Sequence, residues 1–139
     1  MTEKTKTGKT FPGLAVVAEG DRGRSLVQNF FQLGVLSAIC DRPQENLISL
    51  SSEFPEVNIL SFSEILGRKE IPAVAIATAP ETHADFVRQS LLAGKDVFVE
   101  EPLGLSVQDG LELVKLAKAR DRILMVGHLL WYHPAILEL

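Results

Sequence analysis

The sequence predicts an α/β fold: a doubly wound parallel sheet of six strands, in a single domain. Three observations carry that expectation. Short β-rich apolar runs alternate with segments of helical period from Gly13 to Gly127. Several runs are apolar at nearly every position, as strands buried on both faces must be. Successive runs are joined by helix-length connections, which parallel pairing requires and which cover both sheet faces. A chain of 139 residues is long enough to bury one real core of this kind.

Leu14-Ala15-Val16-Val17-Ala18 forms the first strand, and Leu26, Val27, Phe30 and Phe31 then recur at helical spacing, with Gly34 at the C′ position. Val35 to Cys40 is the second strand. Pro43 opens a second helix with Leu47, Leu50 and Phe54 on one face. Val57 to Leu60 and Ser63 to Leu66 give a short third strand and a short helix. Ala73-Val74-Ala75-Ile76-Ala77-Thr78 is the clearest buried strand, and Pro80 starts a helix with Ala84, Val87 and Leu91 inward and Gly94 after it. Asp96 to Glu100 is the fifth strand. Ser106-Val107-Gln108-Asp109 resembles a capping box before a helix to about Arg120, and Ile123 to Gly127 closes the sheet.

Hydrophobic content of 46% and charged content of 23% are those of an ordinary soluble domain. A net charge of −4, with Lys and Arg scattered, argues against nucleic acid or an anionic membrane as the partner. Cys40 is the only cysteine, so no internal disulfide forms; it is expected to pack as a small apolar side chain. Residues 1–12 read as a flexible tail without the apolar segment of a secretory signal, leaving 13–139 as the domain. No apolar run approaches the ~20 residues that span a bilayer. The expected location is cytoplasmic.

The turn after the first strand reads Ala18-Glu19-Gly20-Asp21-Arg22-Gly23. The fingerprint G-x-G-x-x-G places glycine at 18, 20 and 23, and two of the three are present. Gly20 allows a diphosphate to approach the backbone, Gly23 allows close helix–strand packing, and the helix that follows offers its positive end. Asp41, at the end of the second strand, stands where an acid accepts from a ribose 2′-hydroxyl. That favours NAD over NADP, although Arg42 beside it is placed to meet a 2′-phosphate. The plainer alternative is a tight turn, with Asp41 capping the next helix. Glu19 and Asp21 bring negative charge to a phosphate site, which Arg22 and Arg24 partly offset. The dinucleotide reading requires parallel strands and a phosphate-sized hollow beside Gly20 that Glu19 leaves open.

Three more stretches complete a pattern. Thr78-Ala79-Pro80-Glu81-Thr82-His83 follows the fourth strand, Ala93-Gly94-Lys95-Asp96-Val97-Phe98-Val99-Glu100-Glu101-Pro102 spans the fifth, and Val126-Gly127-His128 ends the sixth. With the glycine turn, they resemble the amino-terminal half of the Gfo/Idh/MocA oxidoreductases, the glucose–fructose oxidoreductase and inositol dehydrogenase family. The resemblance runs from about Gly13 to the end. It implies an NAD(P)-binding Rossmann domain whose complete enzymes move a hydride at a sugar or cyclitol hydroxyl carbon.

By this resemblance Gly20, Asp21, Arg22 and Gly23 face the pyrophosphate, Asp41 meets the adenosine ribose, and Thr78, Ala79, Pro80 and Glu100 line the nicotinamide side. Glu19, Arg42 and His83 complete the expected cofactor-binding set. The family motif is Glu-Lys-Pro, and Glu101 stands where the lysine belongs. Family enzymes also continue into a second α/β domain that supplies the substrate pocket, an Asp and His pair, and usually the oligomer interface.

Two readings of function follow. One is an oxidoreductase domain that needs a substrate domain to turn over. The other is a free-standing, catalytically inactive module for a nucleotide or another protein, which the carboxylate at 101 favours. No catalytic residue is assigned.

Glu101 is either a base of raised pKa, pressed by Glu100, or simply solvated. His83 is either a cofactor contact or a surface residue. His128 and His133 have no partners at metal-ligand spacing, so no metal is assigned. Leu129, Leu130, Trp131, Ile136 and Leu137 are unusually apolar for a chain end. They point to a homo-oligomer or a partner subunit seated on residues 129–139.

Overall fold

The computed structural model describes residues 13–42 and 45–138. The expected tail lies outside these residues, as does Pro43; nothing describes the side chain of Leu47. Strands β1 (Leu14–Glu19), β2 (Leu36–Arg42), β3 (Asn58–Ile59), β4 (Ala73–Ala77), β5 (Asp96–Glu100) and β6 (Leu124–Gly127) form one sheet. Its order is β3-β2-β1-β4-β5-β6, and every neighbouring pair is parallel. The helices are α1 (Arg24–Gln32), α2 (Glu45–Glu53), α3 (Phe62–Gly67), α4 (Pro80–Leu92), α5 (Val107–Ala119) and the short α6 (Pro134–Leu137).

Strand alternation sorts the core into two layers. Val16, Ala18, Ile39 and Ala75 pack against Val27 of α1 and Leu50 and Phe54 of α2. Ala15, Val17, Cys40, Val74, Ile76 and Val99 face α3, α4 and α5 through Ile65, Val87, Leu91 and Leu113. Cys40 is buried among apolar neighbours, as its sequence context indicates. Phe31 of α1 is 41% exposed and meets Phe54 edge-on.

Local signals set most boundaries. After α1, Gly34 takes a positive φ of 69°; its N–H reaches Phe31 O at 2.9 Å, and Val35 N–H reaches Phe30 O at 3.1 Å, which is the Schellman closure. Pro80 occupies the first turn of α4.

A full capping box forms at α3, where none was expected, and the one expected at α5 forms in part. Ser61 and Glu64 bond reciprocally at the start of α3, so that helix begins before Ser63. At α5 the Ser106 hydroxyl accepts from Asp109 N–H at 3.0 Å, and Asp109 accepts the hydroxyl proton at 2.7 Å. Asp109 is one methylene shorter than the Glu of a full box.

The order reverses between β1 and β4, because the chain leaves β1 towards β2 and β3 and returns on the other side. Ala18 and Ala77 are register partners there. Helices on opposite faces then leave a crevice above the carboxyl ends of these two strands, the place where ligands enter open α/β sheets.

Candidate functional site at the carboxyl ends of the strands

β1 runs into a 3-10 turn, Gly20–Arg22, and then into α1. Gly20 has a φ of 61°, which favours glycine, and a Cβ built there would meet no atom within 4 Å. Gly23 is a glycine for the opposite reason. A Cβ there would lie 2.2 Å from Ala18 Cβ and 2.9 Å from Ala18 Cα, so the start of α1 rests directly on β1. A hollow beside the turn is lined by Ala18, Gly20, Asp21, Arg24, Val27, Ser49 and Leu50. Arg24 is paired with Glu53 of α2 across its outer side.

Glu19 turns away from this hollow. Its carboxylate crosses the crevice and accepts the Ala79 N–H at the start of α4, at 2.8 Å. The hollow beside Gly20 therefore stays open, while β1 and α4 are stapled together. Asp41 and Arg42 end β2 in register with Ala18 and Glu19, so the backbone brings them to the same rim. The side chains of Arg22, Asp41 and Arg42 lie outside what the structure describes.

On the far side of the crevice, Thr78 is buried, its hydroxyl 2.7 Å from that of Thr82, and Thr82 donates to Ala79 O at 2.7 Å. Ala79 and Pro80 are half-buried at the start of α4. His83 corrects the surface alternative, for it is only 1% exposed. Its Nδ1 lies 2.6 Å from Pro102 O and its Nε2 3.0 Å from Thr78 O. The ring thereby ties the end of β4 to the turn after β5. A neutral imidazole can donate to one of these carbonyls, an imidazolium to both.

Glu100 and Glu101 end β5 and begin the turn after it. Glu100 carries a raised pKa. Burial, then the charge of Glu101, lift it above its usual value of 4.5, while His83 acts in the opposite direction. Glu100 is half-buried over β6; a Cβ on Gly127 would sit 3.4 Å from its Oε2 and 2.7 Å from Phe98 Cζ. Glu101 is exposed. Thr78, His83, Glu100 and Glu101 line one concavity with Ala77.

The structure also makes a contact that sequence reasoning missed. His128 Nδ1 lies 3.3 Å from Glu101 Oε2. If β5 and β6 pair so that Glu100 faces Gly127, as they do, the next residue of each strand must be neighbours. No sequence pattern specifies that register, so the pairing was invisible. Ser49 and Leu50 were likewise overlooked as site residues, because they enter from a helix face that carries no motif; Thr82 lies within a recognised stretch but was given no role.

A parallel sheet of this order, an open glycine turn at the switch point and an adjoining rim of polar strand ends define a dinucleotide-binding α/β domain. The chain belongs to the oxidoreductase family with an NAD-binding Rossmann fold, whose profile matches residues 14–128. Among curated relatives, it is 34% identical to "Glycosyl hydrolase family 109 protein 1" of Shewanella sp. (strain MR-4), over 91% of this chain and 32% of the relative. It is 28% identical to UDP-N-acetylglucosamine 3-dehydrogenase of Acidithiobacillus ferrooxidans, over 87% of this chain and 38% of that protein. The crystal structure of GenD2 from gentamicin A biosynthesis, in complex with NAD, superposes with a TM-score of 0.82 at 25% identity, covering 92% of this chain and 38% of GenD2. The chain thus spans about a third of the length of the curated relatives it matches.

Proposed function

We propose that this chain binds NAD across the β1–β4 crevice and is the cofactor half of an oxidoreductase that moves a hydride at a sugar or cyclitol hydroxyl carbon. The observation that carries the reading is the hollow beside Gly20, which Glu19 leaves free. Open space adjoins Gly20, and the first turn of α1 presents its positive end there, which suits a diphosphate. Gly20, Asp21, Arg22 and Gly23 would surround it, and Asp41 would accept from the adenosine ribose.

Glu19, Thr78, Ala79, Pro80, His83 and Glu100 would border the nicotinamide half. NADP remains the less favoured cofactor, with Arg42 as its partner. NAD supplies the hydride acceptor; these residues hold and orient it. The names of the two curated relatives, a glycosyl hydrolase and a nucleotide-sugar dehydrogenase, support carbohydrate as the substrate class.

Titration with NAD, NADH and NADP by calorimetry tests this, followed by hydride-transfer assays on a panel of sugars and polyols. Absence of heat with all three cofactors would sink the reading. Binding without turnover supports the second reading, an inactive nucleotide-binding module, which is favoured by the carboxylate of Glu101 where the family has lysine. A carboxylate there repels a developing alkoxide that an ammonium would stabilise.

The apolar end of the chain supports a partner. Leu129, Leu130, Trp131, Tyr132 and Leu137 are each at least 65% exposed. Burying a large apolar side chain contributes about 1.5–3 kcal/mol, so several together favour association. A second copy seated on residues 129–139 predicts a dimer or larger species in light scattering at tens of micromolar; a monomer would contradict it.

A further inference from the structure

We infer that His128 is the proton acceptor of the strand-end rim, with Glu101 as the residue that positions it. The inference rests on the proposed nicotinamide site and names the group that works there in place of the family's lysine. The register of β5 with β6 puts residues 101 and 128 side by side, with Nδ1 of His128 3.3 Å from the Glu101 carboxylate. A carboxylate accepting from Nδ1–H holds the neutral ring in the tautomer whose Nε2 keeps its lone pair. This is the arrangement by which an acid makes imidazole a base.

The other ionisable groups of the rim are committed. Both nitrogens of His83 face carbonyl oxygens, and Glu100 lies half-buried against Phe98 and the Gly127 backbone. His133 is spent capping α6, accepting from Ala135 N–H at 3.3 Å. Among the described residues of this rim, His128 is the imidazole with exposure to meet a substrate, 55% of its side chain being accessible.

The chemistry balances without lysine. The substrate's secondary hydroxyl loses its proton to Nε2 of His128 as the carbon's hydride passes to NAD. The alcohol becomes a ketone, NAD becomes NADH, and the imidazolium is held by Glu101. The ligand class is a neutral sugar or cyclitol bearing a free secondary hydroxyl.

Two measurements on the whole chain test this without relying on turnover. Long-range nitrogen–proton NMR should show neutral His128 as the Nδ1–H tautomer. Glu101→Gln should shift it towards Nε2–H, and Glu101→Asp should retain it. Diethyl pyrocarbonate, read by mass spectrometry, should modify His128 and His133 and spare His83. Saturating NADH should slow modification of His128 at least fivefold and leave His133 unchanged. An Nε2–H tautomer in the native chain overturns the inference, as does NADH that binds by calorimetry without protecting His128. If NADH produces no heat, the nicotinamide site itself fails, and the inference with it.

Discussion

At the amino end of β5, Lys95 is 3% exposed and its ammonium donates to Arg68 O at 2.5 Å and Ile71 O at 2.7 Å; at the carboxyl end, Glu100 feels the charge of Glu101, and Glu101 lies 3.3 Å from His128 Nδ1. One strand thus carries charge at both ends in opposite states. Lys95 is satisfied by backbone carbonyls and is part of the packing. Burial pushes its pKa below the ordinary 10.5, with Glu70 acting the other way. Asp96 beside it accepts from Ile123 N–H at 2.9 Å, joining the loop before β6. The carboxyl end holds like charges close together, an arrangement that costs energy and that binding or chemistry can use. Charge at the first end supports the fold; charge at the second is available for function.

Three substitutions can break or sharpen that contrast. The largest effect is expected at Lys95. Lys95→Ala leaves two buried carbonyls without their donor and should lower stability by about 2–3 kcal/mol in urea unfolding. A loss near zero would show the amino end to be as dispensable as a surface site.

Glu101→Lys restores the family's motif at an exposed position and should change stability by less than about 0.5 kcal/mol. Removing a negative charge and adding a positive one beside the crevice should tighten NADH binding by about 3- to 10-fold, roughly 0.7–1.4 kcal/mol. Unchanged affinity in calorimetry would place the cofactor away from β5.

The smallest effect is at Glu100, and it depends on pH. Its folded pKa is raised, so between 4.5 and that raised value the folded chain holds a proton that the unfolded chain has released. The stability associated with that proton is complete below 4.5 and is lost as pH rises through the folded value. Glu100→Gln should therefore raise the urea midpoint at pH 7, with the gain shrinking as pH falls towards 4.5. A gain that is the same at both pH values would remove the electrostatic explanation.

Much of this architecture was legible before any coordinates. Leu14 to Ala18 and Ala73 to Thr78 are nearly uninterrupted apolar runs, and two-sided burial is the condition that permits them. Gly34 marked a helix end, because an αL turn favours a residue without Cβ. The Ser61 box was missed because Phe62 reads as the end of a strand as readily as the start of a helix. His83 was misjudged because a histidine in the first turn of a helix gives no local sign of what will cover it. Its cover is Pro102, remote in sequence and brought close by the end of β5.

By itself the sequence determined the periodicities, the glycines and the terminal carboxylates of this domain, because backbone sterics and apolar burial act over a few residues. Only the tertiary structure decided that Glu19 reaches α4, that Glu100 carries the raised pKa, and that Glu101 meets His128. Those outcomes depend on which strands lie side by side and in what register, and register is a property of the assembled sheet.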